Sequence, residues 1–314
     1  MSRPLDLPYM VVTTARSYGA VGQRWLDGLG ALVDELERDW DITIGATLSG
    51  GTASYVAEAT TAEGESAVLK VAMPAQFTSL GDLGNEIRTL TIADGHGCAR
   101  LLRHDEERRA LLLERLGRKL DDLGLPVQRQ LEIICATLPR LWDASPGNVE
   151  LPSGAAKGRW LADDIARAWD ELDQPCSSRV VDTALSFAER RIAAFDQERA
   201  VLVHGDAHGW NTLEEREGSS QFKFVDPDGL IAEREYDLAI PMREFNDELL
   251  AGDAVRVGQA RCQLLSRLSN TDATRIWEWG FIERVSTALL LVREGHAKLA
   301  EDFLTVAEAW AADN

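Results

Sequence analysis

The 314-residue chain has few lysines, few cysteines, a deficit of positive charge and no long apolar run. Its four cysteines, Cys98, Cys135, Cys176 and Cys262, lie far apart and form no C-x-x-C pair. Reduced thiols are therefore expected, not a zinc site or a disulfide framework. No stretch approaches the roughly 18 apolar residues that cross a bilayer, and the opening MSRPLDLPYMVVTTARSYG lacks a signal peptide's apolar core. A cytoplasmic protein without a membrane partner is the expectation. The 33 Lys+Arg face 52 Asp+Glu, for a formal charge of −19, and lysine supplies only 5 of the 33. Such a field repels nucleic-acid phosphates and argues against that partner. The excess acid and scarce lysine read either as codon bias of the genome or as an acidic cleft that concentrates a cationic ligand, and total charge does not separate the two.

What is present suffices for a large core. Apolar residues make up 45 %, with nine Trp and eight Phe, enough to exclude a disordered chain. At about 150 residues per domain the length predicts two lobes. Residues 20–40 carry Trp25, Leu29, Leu32, Val33, Leu36 and Trp40 at helical spacing. Strand-like pieces follow at 42–51, 52–60 and 66–73, then a helix over 82–94 and a hairpin over 99–116. From 117 onward the pattern is mostly helical, interrupted by the short apolar runs VLVHGD (201–206) and FKFVD (222–226). Segment 143–158 reads as a turn-rich loop inside the second lobe, with a linker as the second reading, and the tail from about 254 as three helices. The fold class is α+β, with a strand-rich first lobe over 1–116 and a helical second lobe over 117–314.

Several residues stand out for their chemistry. In HGDAHGWN (204–211) a strand runs into a loop bearing Asp206, with a carboxamide at Asn211; a second strand ends in Asp226-Pro-Asp228-Gly. Two carboxylates and an Asn at strand ends suit a hard divalent cation such as Mg²⁺ and leave a carboxylate to orient a hydroxyl. Ser49, Gly50, Gly51, Thr52, Ala53 and Ser54 form a turn between two strands; paired glycines let backbone N–H groups approach a phosphate, while a plain hairpin turn is the more common explanation of such a pair. Lys70 sits inside the apolar strand AVLKV; it reads either as a snorkelling edge lysine or as an interior lysine that needs a partner, with Glu86 on the next helix the natural one and Asp82 its chief competitor. His208 is either structural or lines an acceptor pocket. Asp228 is a third acidic neighbour of the metal or a turn residue. Glu233 and Glu235 open an acidic stretch that suits a cationic acceptor if it faces the site. Trp277, Trp279 and Glu283 are further candidates for that pocket, with helical core the favoured role for at least one of the two Trp.

The order of these parts is that of a kinase-like phosphotransferase, without G-x-G-x-x-G, D-F-G or A-P-E. The H-G-D-x-x-x-x-N form resembles the aminoglycoside phosphotransferase family. RWLDGLGALV, SGGTASY, AVLKV, RLLRHDEERRALLLERL, HGDAHGWN and VDPDGLI resemble its branch of streptomycin 6-phosphotransferases and hydroxyurea-resistance kinases. The resemblance implies a two-lobed protein-kinase-like fold, ATP and Mg²⁺ as cofactors, and a small hydroxylated acceptor. It makes Asp206 the catalytic carboxylate, Asn211 and Asp226 the Mg²⁺ ligands, and Lys70, held by Glu86, the contact to the α/β-phosphates. Backbone from 49 to 54 covers the phosphates, and Leu113, Glu114, Arg115 and Leu116 offer backbone groups to adenine. A sugar, amino sugar or amino alcohol is the alternative acceptor. Two other readings are a metal hydrolase built on His204, Asp206, His208 and Asp226, and a non-catalytic nucleotide-binding module. The complete set Lys70, Asp206, Asn211 and Asp226 argues for activity over the latter.

Overall fold

The computed structural model describes residues 5–49, 53–74 and 82–313. Contacts divide the chain into two units, Met1–Arg118 with Leu213–Asp228, and Lys119–Thr212 with Gly229–Asn314.

The first unit opens with helices α1 (Tyr9–Ser17) and α2 (Gly19–Trp40). They approach closely at Gly22, where a Cβ would collide with the Ala15 carbonyl. Helix α2 ends at Asp41, whose φ of 52° breaks the helix. Strands β1 (Ile42–Thr47), β2 (Ser54–Thr61), β3 (Ser66–Ala72), β4 (Leu101–Asp105) and β5 (Ala110–Glu114) form one antiparallel sheet in the order β1-β2-β3-β5-β4. Alternation along β3 decides what it presents. Ala67, Leu69 and Val71 join Leu29, Val33, Leu36 and Trp40 of α2 in one apolar cluster. Lys70 falls on the opposite face of this central strand, in register with Val56 and Leu111. Helix α3 (Leu83–Ala93) carries Glu86 in its first turn.

The second unit is built from helices α4 (Val127–Trp142), α5 (Gly154–Glu171) and α6 (Ser178–Ala193), followed by strand β6 (Val201–Val203). The chain then forms β7 (Thr212–Glu214) and β8 (Phe222–Phe224), which pair with each other, before β9 (Leu230–Ala232) returns to pair antiparallel with β6. Helices α7 (Glu235–Arg243), α8 (Asn246–Leu250), α9 (Ala254–Ser269), α10 (Ala273–Arg293) and α11 (Ala297–Ala312) complete it. Helix α10 packs against α5, α6, α7, α9 and α11. Its stretch from Glu278 to Ser286 is buried without interruption, as expected of a helix surrounded by others. Among the described residues no helix is long and apolar enough to cross a membrane.

Two expectations differ from the structure. A single boundary at 116/117 does not anticipate that 213–228 packs with the first unit. The cause is main-chain pairing: Phe224 N–H donates to the Gly97 carbonyl at 2.7 Å, and Ala99 N–H to that of Phe224 at 2.8 Å. Gly117 N–H also donates to the Glu214 carbonyl at 2.8 Å. The expected loop over 143–158 ends early, because α5 starts at Gly154, capped by Ser153 Oγ, which accepts from Ala156 N–H at 3.1 Å. Two of the glycines that read as loop, Gly154 and Gly158, are packing residues. A Cβ on Gly154 would lie 2.9 Å from the Ala232 methyl, and one on Gly158 3.0 Å from Ile192.

A third glycine sets the spacing of α10 and α7. A Cβ on Gly280 would stand 2.6 Å from Met242 Cβ. Gly280→Ala is expected to cost about 1–3 kcal/mol by overpacking, read as a lower denaturant midpoint with an unchanged slope. An unaltered midpoint would mean the two helices separate freely.

Candidate active site

In the first unit, Lys70 Nζ lies 2.7 Å from both carboxylate oxygens of Glu86 and 2.5 Å from Asp226 Oδ1. Lys70 and Glu86 are buried, whereas the Asp226 side chain is 59 % exposed. Burial opposes the ammonium, but the two carboxylates outweigh it and hold Lys70 charged well above its ordinary range. Burial pushes Glu86 up to about 7, against the pull of Lys70, with Asp226 adding repulsion. Asp226 has φ +60°, a conformation non-glycine residues rarely adopt, immediately before Pro227. Such a backbone persists where its surroundings fix it, and Asp tolerates it better than most. Asp228, half-buried two residues on, adds to the repulsion felt by Glu86.

The expected phosphate turn is described in part. Ser49 is exposed, Ala53 accepts Met73 N–H on its carbonyl at 2.9 Å, and Ser54 starts β2 opposite Ala72. Gly50, Gly51 and Thr52 lie outside the described residues. In the expected hinge, Leu113 and Leu116 are buried. Glu114 N–H donates to the Arg100 carbonyl and Arg115 N–H to that of Ser66. The Glu114 carboxylate is engaged by Lys223 at 2.5 Å and by Arg100 N–H at 2.7 Å, and Arg115 pairs with Glu58 at 3.3 Å. Leu113 lies within the β5 ladder. Among the described residues, Leu116 is the member of this run whose peptide N–H has no protein acceptor.

The second unit holds the loop after β6. Its frame is Asp237 of α7, fully buried. Oδ1 accepts Gly205 N–H at 2.8 Å, and Oδ2 accepts His204 N–H at 3.1 Å and Trp142 Nε1–H at 2.8 Å. Burial raises the Asp237 carboxyl to about 6 against these donors. Gly205, at φ +88°, makes the bend. Buried His204 accepts Asp206 N–H on Nδ1 at 3.1 Å, which directs the next residue outward.

Asp206 is then held on both oxygens. Arg243 Nη2 donates to Oδ1 at 2.8 Å. His208 Nε2 lies 3.1 Å from Oδ2, and Asn211 Nδ2 donates to the same oxygen at 3.2 Å and to the Asp206 carbonyl at 3.1 Å. Burial would raise this carboxyl, but His208 and Arg243 reverse that and hold it well below the usual carboxylate range. His208 Nδ1 accepts Trp210 N–H at 3.2 Å, so the neutral Nε2–H tautomer satisfies both contacts. Burial works against the imidazolium, yet the Asp206 carboxylate raises the His208 pKa. Gly209 passes close to Gln130, with its carbonyl accepting Asp121 N–H at 3.3 Å.

The residues expected to line an acceptor pocket divide. Glu233 binds Arg275 at 3.2 Å, Arg191 at 3.3 Å and Trp279 Nε1–H at 2.7 Å. Glu235 accepts Asp272 N–H at 3.1 Å ahead of α10. Trp279 is buried edge-on to Tyr236, and Trp277 packs on Trp310. These four are engaged in helix packing. Glu283 does reach the Asp206 set: it accepts the Tyr236 hydroxyl at 2.5 Å and lies 3.6 Å from Arg243 Nη1. Sequence reading missed Arg243 itself, and no local signal marks it, since its contact to Asp206 spans 37 positions.

Chemically, the second unit presents an oriented, ionised carboxylate beside a carboxamide. The first presents a buried ammonium shared by two carboxylates. A zinc site of His204, Asp206 and His208 does not form, because His204 Nδ1 is committed to a backbone N–H. Among the described residues no group of three or more His, Cys, Asp or Glu is arranged to hold a metal ion.

Comparison with known proteins places these features in a family. The family model described as aminoglycoside/hydroxyurea antibiotic resistance kinase matches residues 39–295. A streptomycin 6-kinase of Streptomyces glaucescens is 31 % identical over 98 % of this chain and 98 % of its own length. A hydroxyurea phosphotransferase of Kitasatospora aureofaciens is 29 % identical over 97 % of this chain and 85 % of its own. Among solved structures, the choline kinase LicA from Streptococcus pneumoniae superposes with a TM-score of 0.62, covering 92 % of this chain and 100 % of that one. At 13 % identity that likeness speaks to the protein-kinase-like α+β fold alone.

Proposed function

This chain belongs to the aminoglycoside/hydroxyurea antibiotic resistance kinase family and is a phosphotransferase, and from that premise we propose that it inactivates an aminoglycoside such as streptomycin by moving the γ-phosphoryl group of ATP to one of its hydroxyls. The observation that carries this reading is the state of Asp206, ionised and fixed on both oxygens in a loop framed by Asp237. Phosphoryl transfer needs alignment and charge neutralisation more than a strong base. A carboxylate held far below its ordinary pKa orients a hydroxyl well and abstracts its proton only as the new O–P bond forms.

The other roles follow residue by residue. Lys70, kept charged by Glu86 and Asp226, would contact the α/β-phosphates. Leu116 N–H would meet the adenine, and residues 49–54 would cover the phosphates. Each residue that the resemblance names for Mg²⁺ carries a suitable donor. In the second unit Asn211 turns its Nδ2 to Asp206, which leaves the carboxamide oxygen for a hard cation. In the first unit Asp226 carries a carboxylate on an exposed side chain. Mg²⁺ would neutralise phosphate charge. The net charge of −19 favours a cationic acceptor.

The test is ADP release from Mg²⁺-ATP across a panel of streptomycin, other aminoglycosides, hydroxyurea, amino sugars and amino alcohols. Turnover confined to aminoglycosides supports the proposal. Turnover confined to an amino alcohol or sugar would move the role to metabolism.

A further inference from the structure

We propose that Arg243 is a positioning residue for the transfer step: it fixes the Asp206 carboxylate so that a single lone pair, on Oδ1, is left for the acceptor hydroxyl. This rests on the reading of Asp206 as the carboxylate that receives that hydroxyl.

Each carboxylate oxygen offers two in-plane acceptor positions. Oδ2 of Asp206 meets two donors, His208 Nε2 at 3.1 Å and Asn211 Nδ2 at 3.2 Å. Oδ1 meets one, Arg243 Nη2 at 2.8 Å. One position therefore remains, and it lies beside the guanidinium.

The guanidinium is itself fixed. Its three nitrogens face three different carboxylates: Nε lies 3.0 Å from Glu244, Nη1 3.6 Å from Glu283 and Nη2 2.8 Å from Asp206. The Tyr236 hydroxyl holds Glu283 from the far side at 2.5 Å. The backbone beneath is clamped too. Arg284 Nη2 donates to the carbonyls of Met242 at 3.1 Å and Arg243 at 2.8 Å, and its Nη1 to Asn246 Oδ1 at 2.6 Å. Arg261 Nη1 donates to the Glu244 carbonyl at 2.7 Å. Two buried arginines thus grip the end of α7, where the last carbonyls carry the negative end of the helix dipole, and Phe245 at φ +61° turns the chain away. A planar fork with fixed N–H directions can serve three carboxylates at once; an ammonium on a flexible stem cannot reproduce that geometry.

In the step itself, the acceptor oxygen bonds to the γ-phosphorus while the bond from that phosphorus to the ADP oxygen breaks. The hydroxyl proton passes to Asp206 Oδ1 and then to solvent. Arg243 keeps its charge throughout and acts only through Asp206.

The experiment is a double-mutant cycle on the full chain, with ADP release in the presence of streptomycin as the readout. Arg243→Met is expected to lower kcat by about 10²-fold, the lower end of the range for positioned acid–base groups, and Arg243→Lys, which keeps the charge but not the fork geometry, by about tenfold. KM for ATP should stay within about threefold of the parent in both. Adding Arg243→Met to Asp206→Asn should change kcat no further, the non-additivity of two residues acting as one. Arg243→Lys keeps the charge facing Glu244 and Glu283, so it decides the matter if Arg243→Met does not fold. Unchanged kcat in Arg243→Lys, or a further tenfold loss in the Asp206→Asn background, overturns the assignment of Arg243 while the role of Asp206 stands. An Asp206→Asn variant as active as the parent overturns the reading beneath it, and this inference with it.

Discussion

Asp206→Ala is expected to reduce turnover by about 10²–10⁴-fold, the range attributed to a positioned general base, while ATP affinity stays within a few-fold of the parent. The reason lies in where its contacts run. Asp206 bonds to Arg243, His208 and Asn211, none of them part of the set around Lys70. The truncation should leave the loop in place, because Asp237 still accepts from His204 and Gly205, and Arg243 keeps Glu244 and Glu283 as partners. Steady-state ADP release and a calorimetric ATP titration on the same preparation separate the two effects. Turnover within a few-fold of the parent would remove Asp206 from the transfer step. A parallel collapse of ATP affinity would assign it to nucleotide binding instead.

Lys70→Met is expected to be the most destabilising single change in the first unit, by about 3–5 kcal/mol. That is the usual effect of removing one partner of a buried ion pair and leaving the other charge uncompensated. The Lys70 and Glu86 side chains are 10 % and 7 % exposed, so solvent screens little of the loss. The effect should also depend on pH. In the parent, the folded Glu86 is raised to about 7 from 4.5. A raised folded pKa means the folded state binds more protons than the unfolded one across that interval. The stability this provides is complete below 4.5 and is lost as pH rises through about 7. Without Lys70 the Glu86 pKa rises further, so the variant should keep losing stability above neutrality where the parent has levelled off. Lys70→Met combined with Glu86→Gln should recover much of the loss. Thermal unfolding at pH 6 and pH 8 measures this directly. A variant whose melting temperature matches the parent at both values would mean that the ion pair contributes little.

The legible parts of the molecule were those whose signal is local. Lys70 stood out because an apolar strand cannot hold an ammonium without a partner, and Glu86 lies one helix away. Asp206 and Asn211 lie five residues apart on a single loop. The stripe on α2 and the three tail helices show the 3.6-residue period over many turns. What escaped notice depends on packing. Strands β7 and β9 are three residues long, too short for alternation to register. Gly154 and Gly158 carry the composition of a loop and the function of helix contacts. Glu233 and Trp279, candidates for a pocket, bond to each other instead. Arg243 reaches Asp206 because α10 and α7 meet at a glycine and two arginines fix the helix end, none of which is encoded in spacing along the chain.

The measurement that bears most directly on the central claim is identification of the product. Parent protein, Mg²⁺-ATP and streptomycin would be incubated together, with Asp206→Ala as the blank, and the mixture examined by mass spectrometry and phosphorus NMR. The account predicts a streptomycin monophosphate ester formed in equal amount to the ADP released, and at least about a hundredfold less of it in the same time with Asp206→Ala. Equal product from the parent and from Asp206→Ala would contradict it.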